Sequence, residues 1–323
     1  MKENRRKFLS KTVKGAGVIT LTPMILSACG KSTKEDGVSS SDSLSTAAVT
    51  TPAELFFKIS LAEWSLHKTI RAKELTNLQF PAKAKELGIN AVEYVSTLFD
   101  KDAADQAYLA ELKQVTSDLG VTNVLIMIDN EGNLGAGDDA ERNKAVENHH
   151  RWVDAAKFLG CHSIRVNARG EGTAEEVAAA AVDGLGKLSE YGQQNGIGII
   201  VENHGGYSSN GKWLADVMKQ VNNEYCGTLP DFGNFRIDEN EEYDRYQGID
   251  ELMPFAKGVS AKTNIFNADG NEAVMDYERI MKIVKGHGFT GYVGIEYEGN
   301  ELSEIDGIIA TKKLLEKVGA KLS

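Results

Sequence analysis

Four short apolar runs in the C-terminal half each close on polar residues: Ile-Ile-Val-Glu202-Asn-His204, Thr-Leu-Pro-Asp231-Phe-Gly-Asn234, Gly-Val-Ser260-Ala-Lys262 and Val-Gly-Ile-Glu296-Tyr-Glu298. The positions 202, 231, 260 and 296 are 29, 29 and 36 residues apart, about one strand–loop–helix–loop unit each time. A polar residue after an apolar run, repeated once per unit, is what a closed parallel sheet needs to gather distant residues at one mouth. Three carboxylates and an ammonium gathered there suit a divalent metal and an oxygen-rich substrate.

The rest of the body follows the same alternation. Short apolar runs fall at 57–64, 91–95, 121–128, 163–167, 197–203, 227–232, 258–262 and 292–297, and helical patterns lie between them, for example at 103–119, 138–159, 173–194 and 303–318. In the last, Ile305, Ile308, Ile309, Leu315 and Val318 recur at near-helical spacing. Gly88, Gly120, Gly160, Gly196 and Gly288 stand where helices should end. Eight strands alternating with eight helices over some 260 residues predict an α/β fold, a single (β/α)8 TIM barrel. The competing architecture is a doubly wound open sheet. No Gly-x-Gly-x-x-Gly follows the first strand, so nothing supports dinucleotide binding.

Side-chain alternation then selects inward residues. On strand eight, Val293 and Ile295 face the helices, so Glu296 points in. On strand five, Glu202 and His204 share a face, and on strand seven Ser260 and Lys262 do. Glu93 on strand two, and Arg165 with Asn167 on strand four, can also point inward. Buried charges are rarely left unpaired in a core, so a cluster of them at strand ends is better explained by a site than by packing.

Val201-Glu202-Asn203-His204-Gly205, Pro230-Asp231-Phe-Gly-Asn234, Val-Ser260-Ala-Lys262 and Gly294-Ile-Glu296 together resemble the xylose-isomerase-like barrel superfamily, the sugar phosphate isomerases/epimerases. The resemblance runs from about residue 56 to the end. It implies four metal ligands, Glu, Asp, His and Glu, on strands five to eight. Glu202, Asp231 and Glu296 match by position. The His does not: where the family often reads His-x-Lys this chain reads Ser260-Ala-Lys262, and Asn234 stands where the family often has a second His. The oxygen-rich set implies Mg²⁺ or Mn²⁺ rather than Zn²⁺ as the divalent metal. His204 is read as a substrate hydrogen-bond partner, the alternative being a nitrogen ligand.

The implied chemistry is proton abstraction next to a carbonyl, an enediolate reaction, with Glu202 and Glu296 as the proton-transferring pair or as ligands only. Lys262 polarises a substrate oxygen or balances the carboxylates. Arg165, Glu93 and Asn167 are candidate sugar contacts, and Trp64 and His67, at the end of strand one, candidate walls of the pocket. Asn234 and Ser260 join the substrate-binding set. The expected substrate is a non-phosphorylated sugar or keto-sugar. Two alternatives stand beside an isomerase or epimerase: a lyase acting on 3-keto-glycosides, and a non-catalytic tethered sugar-binding lipoprotein. A zinc phosphodiesterase on the same barrel would need many histidines, and the chain has 6.

Residues 1–28 read as an export signal. Asn4-Arg5-Arg6-Lys7-Phe8-Leu9 resembles the twin-arginine pattern, an uncharged stretch too short to span a bilayer follows, and Leu26-Ser27-Ala28-Cys29 resembles a lipobox whose Cys29 would be lipidated. Residues 29–53, rich in Ser and Thr, read as a flexible tether, and 54–323 as the barrel. The expected place is the cell envelope, on the periplasmic side or the outer membrane, held through the lipid. Without residues 1–28 the chain keeps 30 Lys and Arg against 46 Asp and Glu, a net charge of −16 that repels nucleic acid. The acidic run 238–244 reads as a solvated loop. Cys161 and Cys226 open non-neighbouring strands and are expected to be buried free thiols. Adjacent His149 and His150 on one helix face different ways, which points to packing or surface roles rather than a metal.

Overall fold

The computed structural model describes residues 54–323. The export signal, the tether and Cys29 lie outside the described residues. Eight strands alternate with helices: β1 (Lys58–Ala62), α1 (His67–Arg71), α2 (Phe80–Glu86), β2 (Ala91–Val95), α3 (Gln106–Leu119), β3 (Thr122–Met127), α4 (Asp139–Leu159), β4 (Ser163–Val166), α5 (Ala174–Asn195), β5 (Gly198–Glu202), α6 (Gly211–Val221), β6 (Cys226–Leu229), α7 (Arg245–Leu252), β7 (Val259–Thr263), α8 (Tyr277–Gly286), β8 (Tyr292–Tyr297) and α9 (Glu304–Leu322). All ladders are parallel, in the order β6-β5-β4-β3-β2-β1-β8-β7.

The fold is the expected (β/α)8 barrel, and its seam is informative. β6 and β7 share no continuous ladder. They meet through parallel bridges, Thr228 with Ala256 and Asp231 with Ser260. Pro230 stands between the two bridges and has no N–H to give, so the ladder cannot run through it. Its carbonyl still accepts from Ser260 N at 2.9 Å, and Phe232 N donates to Ser260 O at 3.1 Å. The sheet therefore closes by single links at the place where Asp231 and Ser260 are needed side by side. Strand six ends three residues earlier than the apolar pattern 227–232 suggested, for the same reason.

Local signals set the helix ends. Asp138, Thr173 and Ser303 sit one position before α4, α5 and α9 and cap them, each side chain accepting a backbone N–H of the first turn. Thr173 and Glu176 form a reciprocal capping box. Gly160 and Gly196 end α4 and α5 at φ 84° and 72°, the left-handed region where a side chain would be strained.

The lower barrel is apolar. Side chains of Leu125, Ile200 and Leu229 reach to within 2.8–4.0 Å of where a Cβ on Gly258 would sit, so they close the floor. Above them the interior turns polar at Ser60, Glu93, Ser260 and Glu296. Cys161 and Cys226 are free, as expected, but only Cys161 is buried. Cys226, at the first position of β6, is half-buried. His149 is buried with Nδ1 2.7 Å from Ala145 O, and His150 stacks on Tyr191 with ring centroids 3.8 Å apart, so both pack as read. The run 238–244 is largely exposed and bonds to itself, Asp238 accepting from Asn240 N and Glu241 N. Among the described residues no helix is long and apolar enough to cross a membrane.

Candidate functional site

β5 delivers Glu202, the turn after β6 Asp231 and Asn234, β7 Ser260 and Lys262, and β8 Glu296 to the C-terminal mouth of the barrel. One oxygen each of Glu202, Asp231 and Glu296 lie within 4.8 Å of one another, and the three residues are 1%, 0% and 4% exposed. The bridge between β6 and β7 sets Ser260 Oγ 2.8 Å from Asp231 Oδ2 and 3.3 Å from Glu296 Oε2, so the serine links two of the three carboxylates. Asp231 Oδ1 accepts from Gly233 N and Asn234 N, both at 2.8 Å, which fixes its rotamer. Asn234 Nδ2 donates to Glu202 Oε1 at 3.0 Å.

Two cations enter the cluster. Lys262 Nζ stands 3.1 Å from Glu298 Oε2, 3.2 Å from Glu296 Oε1 and 3.9 Å from Asp231 Oδ2, and donates to Asn234 Oδ1 at 3.1 Å. Arg165 Nη1 donates to Asp129 Oδ1 at 3.0 Å. Its Nε lies 2.7 Å from Glu202 Oε2, close enough for an ion pair, yet the N–H is not aimed at that oxygen, and neither atom has a hydrogen-bond partner. Glu93, directly behind, accepts from Ser60 Oγ at 2.5 Å through Oε1, while its Oε2 is likewise buried without a partner. Gly294 makes room for it: a Cβ there would come within 2.6–2.8 Å of the Glu93 carboxylate.

Burial and crowding separate the titratable groups into two kinds. Desolvation drives the carboxyls of Glu202, Asp231 and Glu296 above their ordinary range despite Arg165 and Lys262 beside them. Desolvation pushes Glu93 up to about 8, with Glu296 and Glu202 adding to the rise. Asp129 and Glu298 go the other way. Burial raises them, but Arg165 beside Asp129 and Lys262 beside Glu298 outweigh it and hold both low. Lys262 is held well above its usual value, because its ring of carboxylates overcomes its own desolvation. Burial, with Arg165 and Lys262 nearby, lowers His204 to about 4, so it is neutral at physiological pH. Its Nδ1 is 3.1 Å from both Asn167 Oδ1 and Arg169 Nη2. Carrying a proton it donates to Asn167; bare, it accepts from Arg169.

The residues fit a hard divalent cation. Three buried carboxylates from separate segments converge, Glu202 Oε2 has an unused lone pair, and all nearby donors except His204 are oxygens. The excess of carboxylates over the two buried cations is costly in a desolvated site, and a dication offsets it.

Above the carboxylates lies a cavity of about 320 Å³ lined by Trp64, Arg71, Asp129, Arg165, Glu296 and Glu298 among others. Trp64 Nε1 donates to Glu298 Oε1, which orients the indole as part of the wall. His67 stands one layer back: it stacks on Trp64 with centroids 4.6 Å apart, bonds Trp64 O at 2.6 Å, and is not among the lining residues. Asn167 donates to Asp129 Oδ1 at 3.0 Å and meets His204, so it braces the rim.

Two participants were not singled out from the sequence, Asp129 and Arg169, and Glu298, though it closes the fourth of the motifs, was given no role there. Glu298 follows Glu296 by two, the relation that brought out His204 after Glu202. Asp129 closes the apolar run 121–128 as Glu202 closes its own. Arg169 carries no comparable signal, since it sits in an irregular loop. Glu63 was also missed. It is fully buried after β1, accepts from Asn77 Nδ2 and Val95 N, and is raised to about 8 by desolvation; it ties the ends of β1 and β2 together below the rim.

A sequence model of the family described as "Xylose isomerase-like TIM barrel" matches residues 81–318. Among solved structures, the chain is similar to a D-tagatose 3-epimerase-like protein (TM-score 0.65, 16% identity, covering 83% of this chain and 100% of that one). It is similar to a xylose isomerase-like TIM barrel protein from Mycobacterium smegmatis in complex with magnesium (TM-score 0.60, 17% identity, 76% and 88% covered). A third is the 3-keto-D-glucoside 4-epimerase from E. coli (TM-score 0.60, 14% identity, 82% and 100% covered). At these identities the likeness speaks for the fold alone. A search of curated proteins gave no match.

Proposed function

Because the chain belongs to the xylose isomerase-like TIM barrel family, we propose that it is a sugar isomerase/epimerase-like enzyme that moves a proton at a carbon next to a carbonyl. The observation that carries this reading is the buried convergence of Glu202, Asp231 and Glu296 beneath an open polar cavity. The same three residues would hold the divalent cation, Mg²⁺ or Mn²⁺ by the hardness of the donors. When bound, such a cation stabilises the negative charge that develops on the substrate carbonyl oxygen. The neighbour solved with magnesium and the neighbours described as a sugar epimerase and an epimerase-like protein support the assignment.

The chain's own residues do the rest. Glu202 and Glu296 come from different strands and are stronger bases than free glutamates because burial raises both. One carboxylate oxygen removes the substrate proton and the other residue returns it. Lys262 donates a hydrogen bond to a substrate oxygen, and its contacts with Glu296 and Glu298 hold it there. Arg165 positions Glu202. Trp64 offers a flat wall to a sugar ring, and Leu125, Ile200 and Leu229 keep water from entering below.

The test is deuterium uptake from D₂O into a keto-hexose in the presence of Mg²⁺ or Mn²⁺, followed by NMR. The wild-type protein should exchange the proton next to the carbonyl. Glu202→Gln and Glu296→Gln should each slow it by about 10²–10⁴-fold. Equal exchange in both variants, or none in the wild type, overturns the reading.

We further propose that the barrel is exported and anchored through a lipid on Cys29, which makes a free sugar rather than a cytoplasmic sugar phosphate the substrate. Mass spectrometry of the membrane-extracted protein should find a diacylated chain beginning at Cys29. An intact N-terminus there would refute it.

A further inference from the structure

Two guanidiniums at the mouth have no carboxylate to hold. Arg142, Arg151, Arg165 and Arg245 each stand in an ion pair with Asp or Glu. Arg71 and Arg169 line the cavity over the carboxylates, and neither has such a partner among the described residues. An unpaired arginine is ordinary on open surface, where water solvates it. These two differ in being held in place at the wall of a cavity.

The fold fixes Arg169 from both ends. Its carbonyl accepts from Gly135 N at 2.8 Å, and the two segments cross where only glycine fits: a Cβ on Gly170 would come within 1.9 Å of Gly135 O, and one on Gly135 within 2.8 Å of Arg169 O. The far end is tied to His204, since Nη2 lies 3.1 Å from His204 Nδ1 and donates to His204 O at 3.2 Å. Among the described residues Nη1 and Nε have no partner, so most of the donors of the planar fork are unused. Arg71 closes α1, and its Cζ stands 4.8 Å from the centre of the Trp64 ring, whose Nε1 is itself bonded to Glu298.

The carboxylates of the same mouth do not answer these two. Asp129 is taken by Arg165 and Glu298 by Lys262, and Glu202, Asp231 and Glu296 converge below, at the place proposed for the dication. A neutral sugar would leave both guanidiniums facing the cavity unmatched. A carboxylate is planar and meets an arginine fork at two points. We propose that the substrate is a sugar acid: a keto-sugar whose carbonyl lies over Glu202 and Glu296 while its carboxylate is received by Arg169, with Arg71 as the second positive wall. This rests on the reading of the mouth as a proton-transfer site for a keto-sugar, and it adds the charge that the substrate carries. The two arginines select among keto-sugars and take no part in moving the proton.

Equilibrium calorimetry with Mg²⁺ present tests this without relying on turnover. The probes are D-fructuronate and D-fructose, which differ only in a carboxylate or a hydroxymethyl group at the last carbon, and D-fructose 6-phosphate, which carries a phosphate there. The wild type should bind D-fructuronate about tenfold more tightly than D-fructose, or better. In Arg169→Gln and in Arg71→Gln that ratio should fall to about threefold or less. The two variants alter different walls, so a misfolded one leaves the other to decide. A ratio near one in the wild type overturns the proposal. So does a ratio that survives in the folded variants, since the carboxylate would then be meeting the Mg²⁺ instead. Tighter binding of the 6-phosphate than of D-fructuronate would make the ligand a phosphate and overturn the sugar acid. If D-fructuronate binds tightly through the arginines but deuterium never enters it, the sugar-acid assignment stands and the proton-transfer reading falls. If deuterium enters D-fructose and both sugars bind equally, the reverse holds.

Discussion

Glu93 shows how a single side chain is set by what surrounds it. It is 1% exposed, one oxygen takes a hydrogen bond from Ser60, and the other has no partner. A carboxylate there would be desolvated beside Glu202 and Glu296, so the group keeps its proton up to about pH 8, against 4.5 for a free glutamate. The folded protein thus binds this proton more tightly than the unfolded chain between those two values. Its contribution to stability is complete below pH 4.5 and is lost as pH rises through 8, by at most about 1.4 kcal/mol per unit. Glu93→Gln keeps the Ser60 contact and cannot ionise. Urea unfolding of metal-free protein at pH 5 and pH 8 should therefore show a smaller loss of stability in the variant than in the wild type. Parallel losses would mean that Glu93 is already ionised.

At the scale of elements, the site depends on how β1, β7 and β8 approach one another. Gly294 pairs with Ser60 on one side and with Ser260 on the other, so its backbone is held from both edges. A methyl group there would press on the Glu93 carboxylate, which must turn away and lose Ser60. Gly294→Ala should destabilise the barrel by about 1–3 kcal/mol. Shortening the partner in Gly294→Ala/Glu93→Ala should show a favourable coupling, because the two residues are in contact. Additive losses in urea midpoints would show that the strain lies elsewhere. The β6–β7 seam is the second such feature. Pro230 breaks the ladder, and the single bridge that follows sets Asp231 against Ser260. That pairing is invisible to any rule about strand alternation, since Asp231 belongs to no strand.

For the whole molecule, a cation held by carboxylates from three separate segments would make its binding and folding a linked equilibrium. Mg²⁺ or Mn²⁺ at 100 times its dissociation constant should stabilise the wild type by about 2.7 kcal/mol, read as a rise in Tm. Asp231→Asn should abolish most of that rise, because Asp231 is the member with no exposed surface through which water could take its place. An equal rise in the variant would place the ion elsewhere. How much of this was legible in the sequence follows from what each kind of order depends on. The strands, the capped helices and the inward Glu202, Ser260, Lys262 and Glu296 follow from periodicity, caps and alternation, which are local and so are written along the chain. Which carboxylate oxygen is left without a partner, where Asp129 and Arg169 arrive, and that His67 backs the wall instead of forming it were decided only by closure of the barrel. Those outcomes depend on distances between residues from different turns of the barrel. Packing selects such distances, and no stretch of sequence encodes them.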